Sequence, residues 1–268
     1  MAFPQTRVTL IHRLASGGSE DDWQAFLRDY WGPIFRFCLR RGAPNQDVAE
    51  EVTSDVFQVL WEKKLLDRWS SNRSAKLRTL ICSVARKTLS QRFRAKTPHQ
   101  FSGEDEVEDK EDIDAFYSAW AEDLVQNCIQ DLAAGYRREG KADYLRVFHG
   151  RVCEGLTIRE VAEALGLAES TVDYYYRQVR DRLGNQLQEY VRQHVAAYCP
   201  EEELEDEFLQ EWQRLGEFLR GRGDVERVLA DATSRVDPQE FAQRRDRGLT
   251  KTLLRVASTR PAGPEKSG

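Results

Sequence analysis

The stretch Leu156–Leu187, LTIREVAEALGLAESTVDYYYRQVRDRLGNQL, leaves the chain few ways to fold. Thr157 followed by Glu160 spells a capping box, in which each side chain satisfies the other residue's free backbone N–H and so starts a helix. Ile158, Val161, Ala162 and Leu165 recur at helical spacing and give that helix one apolar face. Gly166 falls where a tight turn needs positive φ. Ala162 is small where two helices have to cross closely. Thr171-Val172 then opens a second helix with Val172, Tyr176, Val179 and Leu183 inward. This is a helix-turn-helix, whose second helix fits a DNA major groove. A purely structural helical hairpin is the weaker alternative, because turn, caps and small residue all agree.

The rest of the chain also reads as helix, so the expected fold class is all-α. Prolines number 8 in 268 residues, and no run alternates β-branched residues with polar ones. Asp21–Leu39 carries Trp23, Phe26, Leu27, Tyr30, Ile34, Phe35 and Phe37, with an interruption expected at Gly32-Pro33. A helix over Asn45–Lys64 has the stripe Val48, Val52, Val56, Val59 and Leu60, with Phe57 and Trp61 beside it. Ser70-Ser71-Asn72 reads as a loop, followed by a helix over Ser74–Arg94 with Leu77, Leu80, Ile81 and Val84 inward. Helical periodicity resumes near Phe116 and runs to about Tyr198.

Charge is segregated along the chain. The net charge of −5 conceals a net of +7 over residues 1–101 and −9 over residues 102–125. Nucleic-acid affinity follows local basic surface, not the total. Arg68–Lys96 holds Arg68, Arg73, Lys76, Arg78, Arg86, Lys87, Arg92, Arg94 and Lys96, with no acid between Asp67 and Glu104. A one-sign run of this kind suits phosphate contacts. Trp61, Trp69, Phe93 and Phe101 lie along it, and aromatics beside a basic groove can stack on unpaired bases. Core packing is the simpler reading for Trp61 and Phe93, whereas Trp69 is expected in a loop. The acidic stretch reads as a flexible linker, or alternatively as a mask over the basic surface.

Three function classes are disfavoured. Cys38, Cys82, Cys128, Cys153 and Cys199 are scattered without a C-x-x-C pair, so free thiols are expected, with no metal and no cofactor. His12, His99, His149 and His194 are dispersed, and no phosphate loop, nucleophile elbow or H-E-x-x-H motif occurs, so no enzyme is expected. No apolar run approaches membrane-spanning length and Met1–Leu14 has no apolar signal core, which reads as cytoplasmic with no membrane insertion.

The order of the motifs resembles the sigma-70 family of RNA polymerase sigma factors, in its extracytoplasmic-function (ECF) subfamily. Family members carry a region 2 pattern like D-x-x-D-A-E-D-L-x-Q-E-V-F-x-x-x-W, and Asn45–Trp61 reads NQDVAEEVTSDVFQVLW. They then carry F-x-x-W-L-x-x-I-A-R-N-x-x-x-D-x-x-R, and Ala75–Arg94 reads AKLRTLICSVARKTLSQRFR. The helix-turn-helix, beginning at Glu154-Gly155-Leu156, resembles region 4. Glu51 replaces a family Asp, Ser54 a Gln, Lys87 and Gln91 an Asn and an Asp, and Ala168 the Ser or Thr that caps the recognition helix. Asp173 near the start of that helix would repel phosphate, although it can accept a hydrogen bond from cytosine.

The resemblance implies two small helical domains, at 8–96 and 120–198, joined by an acidic linker over 97–119. A helical C-terminal extension over 199–259 and a disordered tail over 260–268 follow. The resemblance also implies core RNA polymerase and promoter DNA as partners, with an anti-sigma factor as a further possible one. Glu50, Glu51, Asp55 and Gln58 are the candidate polymerase contacts. Trp69, Arg73, Lys76, Arg78, Arg86, Lys87 and Arg92 are the candidates for holding the melted minus-ten element. Ser170, Thr171, Tyr174, Tyr175, Arg177 and Arg180 are those for the upstream element. The C-terminal section is not part of the family pattern. Its amphipathic helix Glu201–Arg220 is open to two roles, packing on either domain to hold the factor inactive, or a passive appendage. A stand-alone helix-turn-helix regulator and a sigma-like adaptor that no longer reads DNA remain the alternative functions.

Overall fold

Side-chain caps set where several of the helices begin. The computed structural model describes residues 9–71, 76–94, 110–225, 227–228 and 238–258. All the secondary structure among them is helical. The described residues divide into two compact units, one formed by those up to 120 together with 238–258, the other by those from 121 to 228.

The first unit opens with α1 (Leu10–Ala15) and α2 (Glu20–Arg40). Ser19 caps α2 through a capping box: its hydroxyl accepts from the Asp22 N–H at 3.1 Å, and the Asp22 carboxylate accepts from the Ser19 N–H at 3.0 Å. That contact and Arg13 hold the Asp22 carboxyl below its ordinary range. The expected break at Gly32-Pro33 does not occur. Pro33 lies inside a continuous helix because Trp31, Ile34, Phe35 and Phe37 around it are all fully buried. Packing on several sides outweighs the lost N–H bond at one proline.

Asn45 starts α3 (Gln46–Glu62) by accepting from the Val48 N–H at 2.9 Å. α4 (Leu65–Ser71) occupies part of the expected loop, because Leu66 and Trp69, three residues apart, both turn inward. α5 (Leu77–Arg94) packs on α2 and α3 through Leu77, Ile81, Ala85 and Leu89. The following helix α6 (Lys110–Arg138) starts inside the stretch expected to be linker. It does so because Asp112 is pinned by Arg41 at 2.5 Å and Phe116 packs on Phe37. The C-terminal helix α11 (Pro238–Ser258) returns to this unit and lies against α2 and α3.

In the second unit, α7 (Ala142–Val152), α8 (Ile158–Leu165) and α9 (Glu169–Ala196) enclose Val147, Val161, Ala162 and Val172. Gly150 lets α7 and α8 approach, since a Cβ there would meet a Val161 methyl at 3.1 Å. The Thr157–Glu160 capping box and the left-handed Gly166 (φ 66°) form as expected. Arg182 of α9 reaches Glu139 at 2.8 Å, and Tyr190 donates to Asp131. α10 (Leu204–Gly221) packs on the far end of α9, where Arg192 covers the Phe208 ring at 4.2 Å and pairs with Glu205 at 2.7 Å.

Candidate functional site

Three surfaces carry the candidate residues, and each grows from one helix. On α3 the residues pointing away from Val52, Val56 and Leu60 are acidic: Asp47, Glu50, Glu51 and Asp55. Gln58, one turn on from Ser54, donates to Glu62 at 2.6 Å. Glu50, Glu51, Asp55 and Gln58 are all partly exposed. None of the three acids is unpaired. Arg92 of α5 binds Glu51, and Asp55 at 3.1 Å. Arg244 of α11 lies 2.7 Å from Asp47 and 3.8 Å from Glu50, and Arg255 lies 2.8 Å from Asp55. The carboxylates Arg244 faces hold its guanidinium firmly protonated.

The second surface is the basic helix α5. Its candidates divide into two groups. Lys76 and Lys87 are exposed, and Arg86 is partly exposed with Asp112 at 3.6 Å. Arg78, in contrast, is buried, its guanidinium 4.8 Å from the Tyr117 ring and 4.6 Å from the Trp120 ring. Cation–π packing of this kind fixes the helix rather than presenting a charge to phosphate. Trp69 is only 8% exposed, on a helix and not in a loop. α1 and α3 both pack on α4, the helix that carries it. Trp61 packs edge-on against Trp23 with centroids 4.9 Å apart, and Phe93 remains exposed. Arg73 and Phe101 lie outside the described residues, as do residues 102–109 of the acidic stretch.

The third surface is the start of α9. Ser170, Arg177 and Arg180 are exposed, Thr171 and Tyr175 are partly exposed, and Tyr174 is 54% exposed. Tyr175 is committed to packing, stacked on Tyr144 at 3.9 Å, which stacks in turn on Tyr136 at 5.3 Å. Arg177 pairs with Asp173, and Arg180 lies 5.7 Å from the Tyr176 ring. Ala168 occupies the N-cap position without a side-chain hydrogen bond, and the Thr171 N–H of the first turn donates instead to the Ala168 carbonyl at 2.9 Å.

No helix of the described residues is long and apolar enough to cross a membrane, and none of their His, Cys, Asp and Glu side chains cluster to hold a metal ion. The five cysteines are thiols outside any disulfide, and burial pushes the Cys38 thiol up to about 12.

Sequence reasoning missed the partners of the α3 acids. Arg244, Thr252 and Arg255 fall on one side of α11, and the available signal was the excess of five basic over two acidic residues in Pro238–Ser258. Compared with known proteins, the chain matches the family model described as ECF sigma factor over residues 27–189, more than half its length. No curated protein and no solved structure matches it significantly.

Proposed function

The chain belongs to the ECF sigma factor family, whose role is RNA polymerase-associated transcription initiation, and from that premise we propose how its surfaces divide the work. The acidic outer face of α3 docks on core polymerase through Glu50, Glu51 and Asp55, with Gln58 at its edge. The basic helix α5 holds the melted minus-ten element. Lys76, Arg86, Lys87 and Arg92 contact the single-stranded backbone, and unstacked bases are captured beside them at a cost of a few kcal/mol each. Arg78 and Trp69 support that surface from within, and contact nucleic acid less directly than the exposed cations. The start of α9 enters the major groove of the upstream element. Ser170, Thr171 and Tyr174 face the base edges, Arg177 and Arg180 the phosphates, and the uncapped first turn donates N–H groups to phosphate.

The observation that carries this reading is the pairing of two modules in the order of the family pattern: an acidic helix beside a basic helix, then a helix-turn-helix. Specific run-off transcription with purified core polymerase and genomic promoter fragments tests it. The protein is expected to direct initiation, and Lys76→Glu with Lys87→Glu to abolish it while leaving core binding intact. Absence of both core binding and initiation sinks the proposal and favours a stand-alone DNA regulator. A sigma-like adaptor is the second reading, favoured by Asp173, which neutralises Arg177 on the recognition helix. Core binding without initiation from any fragment, even with α11 released, selects it.

A further inference from the structure

The outer face of α3 is already occupied by a segment of the same chain. α11 sets Phe241 against both Trp31 and Phe35, with ring centroids at 6.1 and 5.8 Å, and Arg36 covers the Phe241 ring at 4.3 Å. Two turns on, Gly248 lies flat on the Trp31 indole, where a Cβ would come within 2.5 Å. Next, Thr252 meets Ser54 of α3, both fully buried, with their hydroxyl oxygens 3.0 Å apart. Around this seam Arg244 and Arg255 reach Asp47, Glu50 and Asp55. The contact is thus a basic helix on an acidic face, secured by Phe241, the Gly248 approach to Trp31, the buried Ser54–Thr252 pair and partly exposed ion pairs.

We infer that α11 is a built-in competitor for core polymerase, which covers the α3 docking face and must be displaced before the factor can join the enzyme. This rests on the proposed reading of α3 as the polymerase-docking helix. Two properties suit a displaceable cover. Partly exposed ion pairs contribute little each and are weakened by salt, so the helix can be released. The arginines also engage the same carboxylates that a basic polymerase surface would need, so the two occupants exclude one another. A partner that binds only the uncovered face has its apparent affinity reduced by the fraction of molecules in which that face is open.

The test measures binding of labelled full-length protein to core polymerase by fluorescence anisotropy. Hydrogen exchange of the Pro238–Ser258 amides monitors release. Arg244→Glu with Arg255→Glu turns the pairs to Asp47, Glu50 and Asp55 into repulsions. This variant is expected to expose the α11 amides and to bind core about tenfold more tightly than the parent chain. A second variant, Ser54→Cys with Thr252→Cys in a Cys153→Ser background, ties the helix down, the 3.0 Å approach bringing both side chains into disulfide range. Its oxidised form is expected not to bind core, and reduction to restore binding.

Unchanged or weaker core binding by the charge-reversed chain overturns the inference, as does a persistently protected α11 or an oxidised chain that binds as well as its reduced form. In each of those cases core binding survives and the sigma reading stands. If no form binds core, the reading of α3 itself fails, and the inference with it.

Discussion

Replacing Gly248 by alanine sets two physical effects against each other. Alanine inside a helix is favoured over glycine by about 1 kcal/mol, so propensity alone predicts a firmer α11. The added methyl, however, would sit 2.5 Å from Cζ2 and 2.6 Å from Cε2 and Nε1 of Trp31. Carbon–carbon contacts settle at about 3.5–4.0 Å, so a shift of about 1 Å is required. Trp31 cannot provide it. Its ring is fully buried and stacked on Phe35, with centroids 5.0 Å apart and planes 13° apart. Forcing a methylene-sized group into such a site costs about 1–3 kcal/mol. The clash therefore outweighs the propensity gain by up to about 2 kcal/mol, roughly a 30-fold shift toward the undocked helix. Hydrogen exchange of the α11 amides should accelerate accordingly, while exchange in α8 and α9 stays unchanged. Gly184→Ala is the control, because a Cβ there meets nothing within 4 Å, and it should slow exchange in α9. Slower exchange of α11 in Gly248→Ala would refute the close packing on Trp31.

Two further predictions concern the helix-turn-helix unit. Ala168→Ser supplies the side-chain cap that α9 lacks and should stabilise the unit by about 1 kcal/mol, read as a rise in its thermal midpoint, and an unchanged midpoint would refute the capping argument. Arg182 and Lys141 hold the Glu139 carboxyl down to about 2, and the Thr157 N–H and hydroxyl lower that of Glu160. A carboxylate whose folded value is depressed adds stability above its ordinary value near 4.5. That stability is lost as pH falls from there toward 2. Acid titration followed by circular dichroism should show Glu139→Gln losing less stability over this window than the parent chain, and equal losses would remove the carboxylate from the account.

The parts legible in the sequence are those set by neighbours in the chain. The capping box at Thr157, the left-handed Gly166 and the inward Val172, Val179 and Leu183 depend on residues within a few positions, and all three form. Trp69 was not legible as buried, because Ser70, Ser71 and Asn72 after it look like a loop, while the pull inward comes from α1 and α3. The continuity of α2 through Pro33 likewise depends on packing from other helices. Arg78 shows the limit of counting charges. It belongs to the basic run by sequence, yet Tyr117 and Trp120 of another helix take it out of the exposed set.

The covering of α3 was the hardest feature to foresee, since Arg244 and Asp47 are 197 residues apart. A trace of it was nevertheless present in α2. Phe26 and Tyr30 pack together and Phe26 also meets Phe57 of α3, which accounts for one apolar face. Trp31 and Phe35, one turn apart, form another face, and a helix apolar on two sides needs a second cover. α11 answers that need sparingly. It brings one fully buried ring, Phe241, the partly buried Leu249 and Leu253, a glycine at the point of closest approach and arginines at the rim. Phe241 and Gly248 set the register, so the helix docks in one place. The apolar contact is confined to one buried ring and a few partly buried side chains, and the rim ion pairs are ones a competing basic surface can replace one by one. Specific placement with weak retention is the combination that lets one surface serve two occupants in turn.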